Sequence, residues 1–263
     1  SEYSPNEAKR TKCTASPVIL GGSFQIDRVI AQTSGAINEM NFQIKEKTKA
    51  GANYFHNLVI NGTSASTGTG YVPNTFDGLK KILTGKSTEM TTDIDISTSA
   101  LLDSNYNALL DELDTFIALL AAKPDVLMMN SKMLTKVKSA ARRAGYYDRN
   151  KDDFGRTVET YNGIILMDAG QYYNGSTTED VVSTSTPGSD AYGTTDIYAA
   201  KLGLDAFHGI SVDGSKMLKT YLPDLQAPGA VKTGEVELIA GAVLKNSKMA
   251  GVLKGIKLLG KTA

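Results

Sequence analysis

The chain has 263 residues, with 28 basic against 28 acidic side chains, so its formal charge is zero and nothing draws it globally to phosphate. Apolar residues make up 41% and charged residues 21%, which supplies a core without disulfide or metal staples and excludes a disordered chain. The longest apolar run, about Ile117 to Ala122, falls far short of the roughly 20 residues of a membrane span.

A single cysteine, Cys13, cannot close an internal disulfide, so folding needs no oxidising compartment. The opening, Ser1-Glu2-Tyr3-Ser4, is polar, lacks an initiator Met and carries no signal-peptide pattern; it reads as the start of a trimmed or truncated chain. Residues 1–27 look extended, with a short strand at Pro17–Leu20 broken by Gly21-Gly22. Ile37, Met40, Ile44, Gly51, Phe55 and Leu58 then recur at helical spacing, which predicts a long amphipathic helix from about Ala31 to Ile60. Asn61-Gly62 is its expected stop, since both residues tolerate positive φ.

After a polar loop comes Phe76-Asp77-Gly78-Leu79, leading into Lys80-Lys81-Ile82-Leu83. A second helix is expected over Asp103–Ala122 with a broad leucine face, ended by Lys123-Pro124. Val126–Met129 has the pattern of a buried strand, and Ser131–Ala144 that of a third helix with Gly145 as its stop. Val158–Tyr161 and Ile164–Met167 flank Asn162-Gly163, a strong hairpin signal. Tyr172–Tyr192 reads as a polar, mobile surface loop. Further strands are expected at Ile197–Leu204, Met217–Leu222, Val236–Leu244 and Ala250–Leu259. Helices first and strands after give an α+β class.

The search for chemistry returns weak patterns. Gly85-Lys86-Ser87-Thr88 lacks the glycine five positions earlier that a phosphate-wrapping loop needs, because Lys80 stands there; a turn after a short helix is the better reading. Asp148, Asn150, Asp152 and Glu159 mimic positions 1, 3, 5 and 12 of a calcium loop, but Asp153 occupies the obligatory glycine position, which favours an acidic surface loop. His56 and His208 have no metal-ligand or nucleophile-elbow context, and Asp93 and Asp95 alternate as on a solvated edge. The sequons Asn61-Gly62-Thr63 and Asn174-Gly175-Ser176 read as polar turns. No catalytic, cofactor-binding or metal-ligating residue is assigned. Lys132, Lys136, Lys138, Arg142 and Arg143 make the third helix basic, either as a solvated face or as an interface with an acidic neighbour or nucleic acid.

Order along the chain carries more than any single motif. Gly21-Gly22-Ser23-Phe24-Gln25-Ile26-Asp27-Arg28 precedes a long helix ending in Leu58-Val59-Ile60-Asn61-Gly62. Phe76-Asp77-Gly78-Leu79-Lys80, an apolar helix, Lys123-Pro124-Asp125-Val126-Leu127-Met128-Met129-Asn130-Ser131, a basic helix and the Tyr161-Asn162-Gly163-Ile164 hairpin follow. From about Gly21 to Leu259 this series resembles the HK97-fold major capsid proteins of tailed bacteriophages, from phage or prophage.

The resemblance implies an α+β fold with a long spine helix, a peripheral P domain and an axial A domain. It makes 1–27 a remnant of the extended loop that clasps a neighbour, and 28–98 the P domain, with the spine at about 31–60. It makes 99–203 the A domain, 204–242 the P-domain return strands and 243–263 the C-terminal A-domain strand. The N-terminal arm and the ascending half of the loop are not recognised, so the chain as it stands is expected to fold but assemble poorly. The implied function is a non-enzymatic shell subunit, self-assembling into pentamers and hexamers that enclose double-stranded DNA non-specifically. Scaffolding, portal and decoration proteins would be partners, with no membrane and no cofactor. The location would be the virion, after assembly in a bacterial host cytoplasm. Alternatives are an encapsulin-like compartment and, in another class, an α+β enzyme or ligand-binding domain.

Overall fold

The computed structural model describes residues 14–33, 39–64, 75–145, 148–151, 157–212, 218–224, 226 and 228–262. In chain order it contains β1 (Val18–Asp27), α1 (Arg28–Thr33), α2 (Glu39–Asn61), α3 (Leu79–Leu83), β2 (Glu89–Thr91), α4 (Ser99–Ala118), β3 (Val126–Met129) and α5 (Ser131–Ala144). Then follow β4 (Asp148–Lys151), β5 (Thr157–Tyr161), β6 (Ile164–Asp168), β7 (Gln171–Tyr173), β8 (Thr178–Asp180), β9 (Gly193–Ala200), β10 (Phe207–Ile210), β11 (Leu218–Tyr221), β12 (Val231–Leu244) and β13 (Ala250–Leu259).

Local chemistry explains the sharpest boundaries. The Asn130 side chain accepts from the Met133 amide at 2.8 Å and starts α5; Gly145, at φ 77°, ends it in the left-handed region. Asn162 (φ 50°) and Gly163 (φ 71°) supply the two positive φ values of a tight β5–β6 hairpin. Helix α4 begins earlier than the apolar periodicity suggests, because Thr98 caps it through the Leu101 amide at 3.2 Å. It also ends before Lys123-Pro124. The Leu119 and Leu120 amides tighten onto the Phe116 and Ile117 carbonyls, and the Ala121 amide is taken by Lys248.

A seven-stranded sheet, ordered β2-β13-β9-β3-β6-β5-β4, forms the larger body. Its residues alternate between two cores. Leu127, Met129, Ile197 and Leu253 face α4 and α5, where Leu113, Phe116, Met133 and Val137 are buried. Met128, Tyr198 and Val252 face the other way, against Leu58 and Ile60 at the end of α2, and Leu79 and Leu83 of α3. The smaller body is a four-stranded sheet built on β12, with β1 along one side and β10 and β11 along the other. Helix α2 covers one face of it, Met40 and Ile44 packing on Phe24, Ile26 and Val236.

Several expectations need correction. The long helix, α2, has 23 residues, spans about 35 Å and starts at Glu39; Arg28–Thr33 forms the separate α1, and Ile37 lies outside the described residues. Gly21-Gly22 does not break the first strand: β1 pairs with β12 from Val18↔Ala240 to Asp27↔Val231. Glycine is needed at 21 because a Cβ there would stand 2.0 Å from the Val236 carbonyl oxygen. Gly62 likewise serves close approach rather than positive φ. A Cβ there would lie 2.3 Å from the Phe76 carbonyl oxygen, where Gly78 donates to the Gly62 carbonyl at 2.8 Å.

Tyr172–Tyr192 is not a plain surface loop. β7 and β8 form a hairpin, and the adjacent Val181 and Val182 are buried in the core between α2 and the large sheet. Asp148–Lys151 is a strand paired with Thr157–Tyr161 rather than a loop. β9 starts at Gly193 and stops at Ala200, and β12 starts at Val231, because each follows its ladder partners and not the local apolar run. The short strands β2 and β10 had no periodic signal of their own; each exists through pairing with a distant strand, β13 and β12.

Candidate assembly surface

The chemistry-bearing candidates do not converge. Gly85-Lys86-Ser87-Thr88 turns between α3 and β2, with the Thr88 hydroxyl donating to the Ser247 carbonyl at 3.2 Å. Glu159 pairs with Lys138 of α5 on a strand-to-strand hairpin, while Asp152 and Asp153 lie outside the described residues. His56 is exposed on α2, and His208 is half-buried on β10. Cys13 lies outside the described residues. Asp93 and Asp95 fall beyond β2: Asp93 pairs with Lys257 at 2.6 Å, and Asp95 accepts from the Ser97 amide and hydroxyl at 2.9 and 2.7 Å. Among the described residues no three His, Cys, Asp or Glu side chains gather as a metal site.

The basic residues of α5 divide in two. Lys138 and Arg143 are held internally, Arg143 by Asp103 of α4 at 2.6 Å, whereas Lys132 stands at the helix start beside a shallow cleft also lined by Glu179 and Asp180. At the β2 edge of the larger sheet, the Lys254 ammonium binds Glu89 and holds its carboxyl below the usual range, while burial pushes Asp196 up. These groups brace β2, β13 and β9; they do not surround a cleft that could take a substrate.

What the structure leaves open is surface. Directly opposed residues share a face of a sheet. On the face away from α2, the exposed residues Ile19, Ser23 and Gln25 of β1 line up with Ile239, Glu235 and Thr233 of β12, and Tyr221 of β11 continues the row. At one end of this sheet Val29, Leu222 and Val231 are also exposed, with Val29 at 59% and Leu222 at 65%. Along its outer edge β1 has no ladder partner among the described residues, so ten residues of backbone stand ready for a further chain. An open sheet face of mixed polar and apolar residues, an exposed apolar end and an open edge on one small body make a candidate docking surface.

The sequence model of the SU10 major capsid protein family matches residues 22–165, more than half of the chain. The chain belongs to the SU10 major capsid protein family. It is therefore a structural subunit of a viral shell, located in the capsid of the virion, and not an enzyme. No curated protein sequence matches the chain.

Solved structures agree on the fold. The SrpI encapsulin of Synechococcus elongatus PCC 7942 superposes with a TM-score of 0.65 at 13% identity, covering 94% of this chain and 76% of that one. The capsid of the empty GTA particle gives 0.57 at 13% identity, covering 99% and 81%. The Mycobacterium phage Ogopogo structure gives 0.51 at 12% identity, covering 97% and 82%. This SU10-family subunit thus has the α+β HK97 architecture that the order of its motifs resembles.

Proposed function

We propose that this capsid subunit assembles into pentamers and hexamers that close as an icosahedral shell around double-stranded DNA, held non-specifically. In this reading the four-stranded sheet with α2 is the P domain and α2 its spine. The seven-stranded sheet with α4 and α5 is the A domain, contributed by 99–203 and rejoined by 243–263, with β2 (Glu89–Thr91) of the 28–98 stretch added at its edge beside β13. Residues up to 27 are the base of the extended loop, and their strand β1 joins the P-domain sheet along β12. Scaffolding, portal and decoration proteins are its further partners, and assembly takes place in the cytoplasm of a bacterial host.

The observation that carries the reading is family membership together with an open, edge-rich small body fused to a closed large one. A subunit of this kind has repeated weak contacts to make, and many of them sum to a stable container. Zero net charge suits it, because hundreds of like copies then repel weakly. The second reading, a compartment that holds a cargo protein, is favoured by the TM-score of 0.65 to an encapsulin.

One experiment separates the two. The full-length gene product is expressed and examined by negative-stain microscopy, light-scattering mass and nuclease digestion of the contents. Closed megadalton particles containing protected DNA are expected. Particles of uniform size filled with one protein and no DNA would replace the capsid reading by the compartment. A monomer across salt and pH would overturn both.

A further inference from the structure

Three loops meet at one end of the seven-stranded sheet. They are 119–125 before β3, 201–206 between β9 and β10, and 245–249 between β12 and β13. Main-chain bonds lace them together: Ala121 to Lys248 at 2.9 Å, Lys201 to Met249 at 2.9 Å, Lys245 to Ala206 at 3.2 Å and Asp125 to Ala200 at 3.0 Å. The corner they build is therefore preformed. Lys123, Lys245 and Lys248 are exposed on it with no ion-pair partner among the described residues, while Lys201 is held by Asp125 at 2.7 Å. Asp205 is the remaining acid there, so the corner keeps a positive excess. Leucines stand among these lysines, Leu204 75% and Leu202 54% exposed. Exposed leucine gains nothing from water or from a phosphate backbone, so the partner must offer apolar surface as well as negative charge.

The opposite end of the same sheet carries the complement. Met129↔Asp168 is the last pair of the β3–β6 ladder, and the β7–β8 hairpin springs from there with Asp168, Glu179 and Asp180 and no basic residue between 168 and 180; Lys132 of α5 shares a cleft with Glu179 and Asp180, so the surface keeps a negative excess of three acids over one base. Its acids accept hydrogen bonds from neutral groups: Asp168 from the Gly170 amide, Glu179 from Tyr172 and Asn174, and Asp180 from Gln171. Tyr173, 64% exposed, supplies an apolar body beside them.

We infer that the lysine–leucine corner of one subunit docks on the acidic β7–β8 hairpin of a second copy of this chain. The two surfaces lie at opposite ends of one sheet, so a subunit cannot satisfy itself. The contact is head-to-tail, the kind that repeats from copy to copy and closes into a ring when the rotation allows. The inference rests on the shell reading and names one contact within it.

The test uses the full-length gene product in four forms: wild type, Lys245→Glu with Lys248→Glu, Glu179→Lys with Asp180→Lys, and all four changes in one chain. Sedimentation velocity measures the assembled fraction, and circular dichroism melts check each fold. Each two-residue reversal is expected to weaken association at least about tenfold, and the combined form to recover it. Leu204→Ser, which leaves every charge in place, is expected to weaken it too. Reversals that assemble like wild type would overturn the contact while leaving the shell intact. So would a folded combined variant that stays dissociated, or reversals that assemble normally but lose bound DNA, an outcome assigning the corner to nucleic acid. A wild type that never assembles would overturn the shell reading itself and this contact with it.

Discussion

The two bodies of this subunit are finished to different degrees. The seven-stranded sheet is covered on both faces, by α4 and α5 on one side and by α2, α3 and the Val181-Val182 segment on the other. The four-stranded sheet shares the second core at one end, through Leu20, Phe207 and Ala242, but toward the other end it has only the small cluster of Phe24, Ile26 and Val236 under α2, and its opposite face and β1 edge are open. Hydrophobic burial stabilises in proportion to area removed from water, so the larger body and the core it shares hold most of the subunit's own stability, and the far end of the smaller body gains more from neighbours. A shell subunit divided in this way keeps one rigid half that fixes shape and meets neighbours only through its end loops, and one half whose open face and edge are left for assembly.

Truncating the two cores breaks the comparison most directly. Phe116→Ala in the large core is expected to cost about 3–5 kcal/mol, read by chemical denaturation of the dissociated subunit. Phe24→Ala should cost the dissociated subunit less, because a thin cluster under one helix can collapse around the gap; equal losses would contradict the division. Asn130→Ala comes next, at about 2–3 kcal/mol. Asn130 caps α5 and its amide also donates to the Val182 carbonyl and to the Thr184 and Thr195 hydroxyls at 3.1, 3.1 and 2.8 Å, so its loss unties the helix from the sheet.

A smaller effect lies in the pH dependence of the brace across β2, β13 and β9 of the larger sheet. Burial raises the folded pKa of Asp196 above the ordinary aspartate value, so the native state binds more protons and ionisation costs stability. Asp196→Asn is therefore expected to raise stability at neutral pH, the gain vanishing as pH falls below the unfolded value. Glu89 has the opposite sign. Its carboxylate, held low by Lys254, contributes stability above 4.5 that is lost as pH falls through the folded pKa, so Glu89→Gln should cost a little at neutral pH and nothing in acid. Denaturation of both variants at two pH values checks the crossing. Smallest of all, Val29→Thr with Leu222→Ser should change subunit stability by no more than about 0.5 kcal/mol, yet reduce assembly measured by light scattering.

Legibility in the sequence followed the range of the forces. α5, β3, the β5–β6 hairpin and β13 were readable because a local signal and the tertiary fold agree there: Asn130 and Gly145 at the ends of α5, Asn162-Gly163 at the turn. β1 was missed beyond Leu20 because two glycines signal a break locally, while their real role is close approach to Val236, more than 200 residues away. β2, β4 and β10 were hidden because short strands are defined by their partners. The order of motifs reached the family, but the candidate surface stayed out of reach. Leu204 sits in the loop between β9 and β10 and Val29 on the short α1, and no local periodicity says whether another element covers them.

Hydrogen–deuterium exchange on the full-length product, assembled and dissociated, tests the division between the bodies most directly. Amides of β1, β11 and the first half of β12 should gain strong protection on assembly, while those of β3, β9 and the middle of β13 stay equally protected in both states. Protection that rises uniformly, or chiefly in the seven-stranded sheet, would contradict the account.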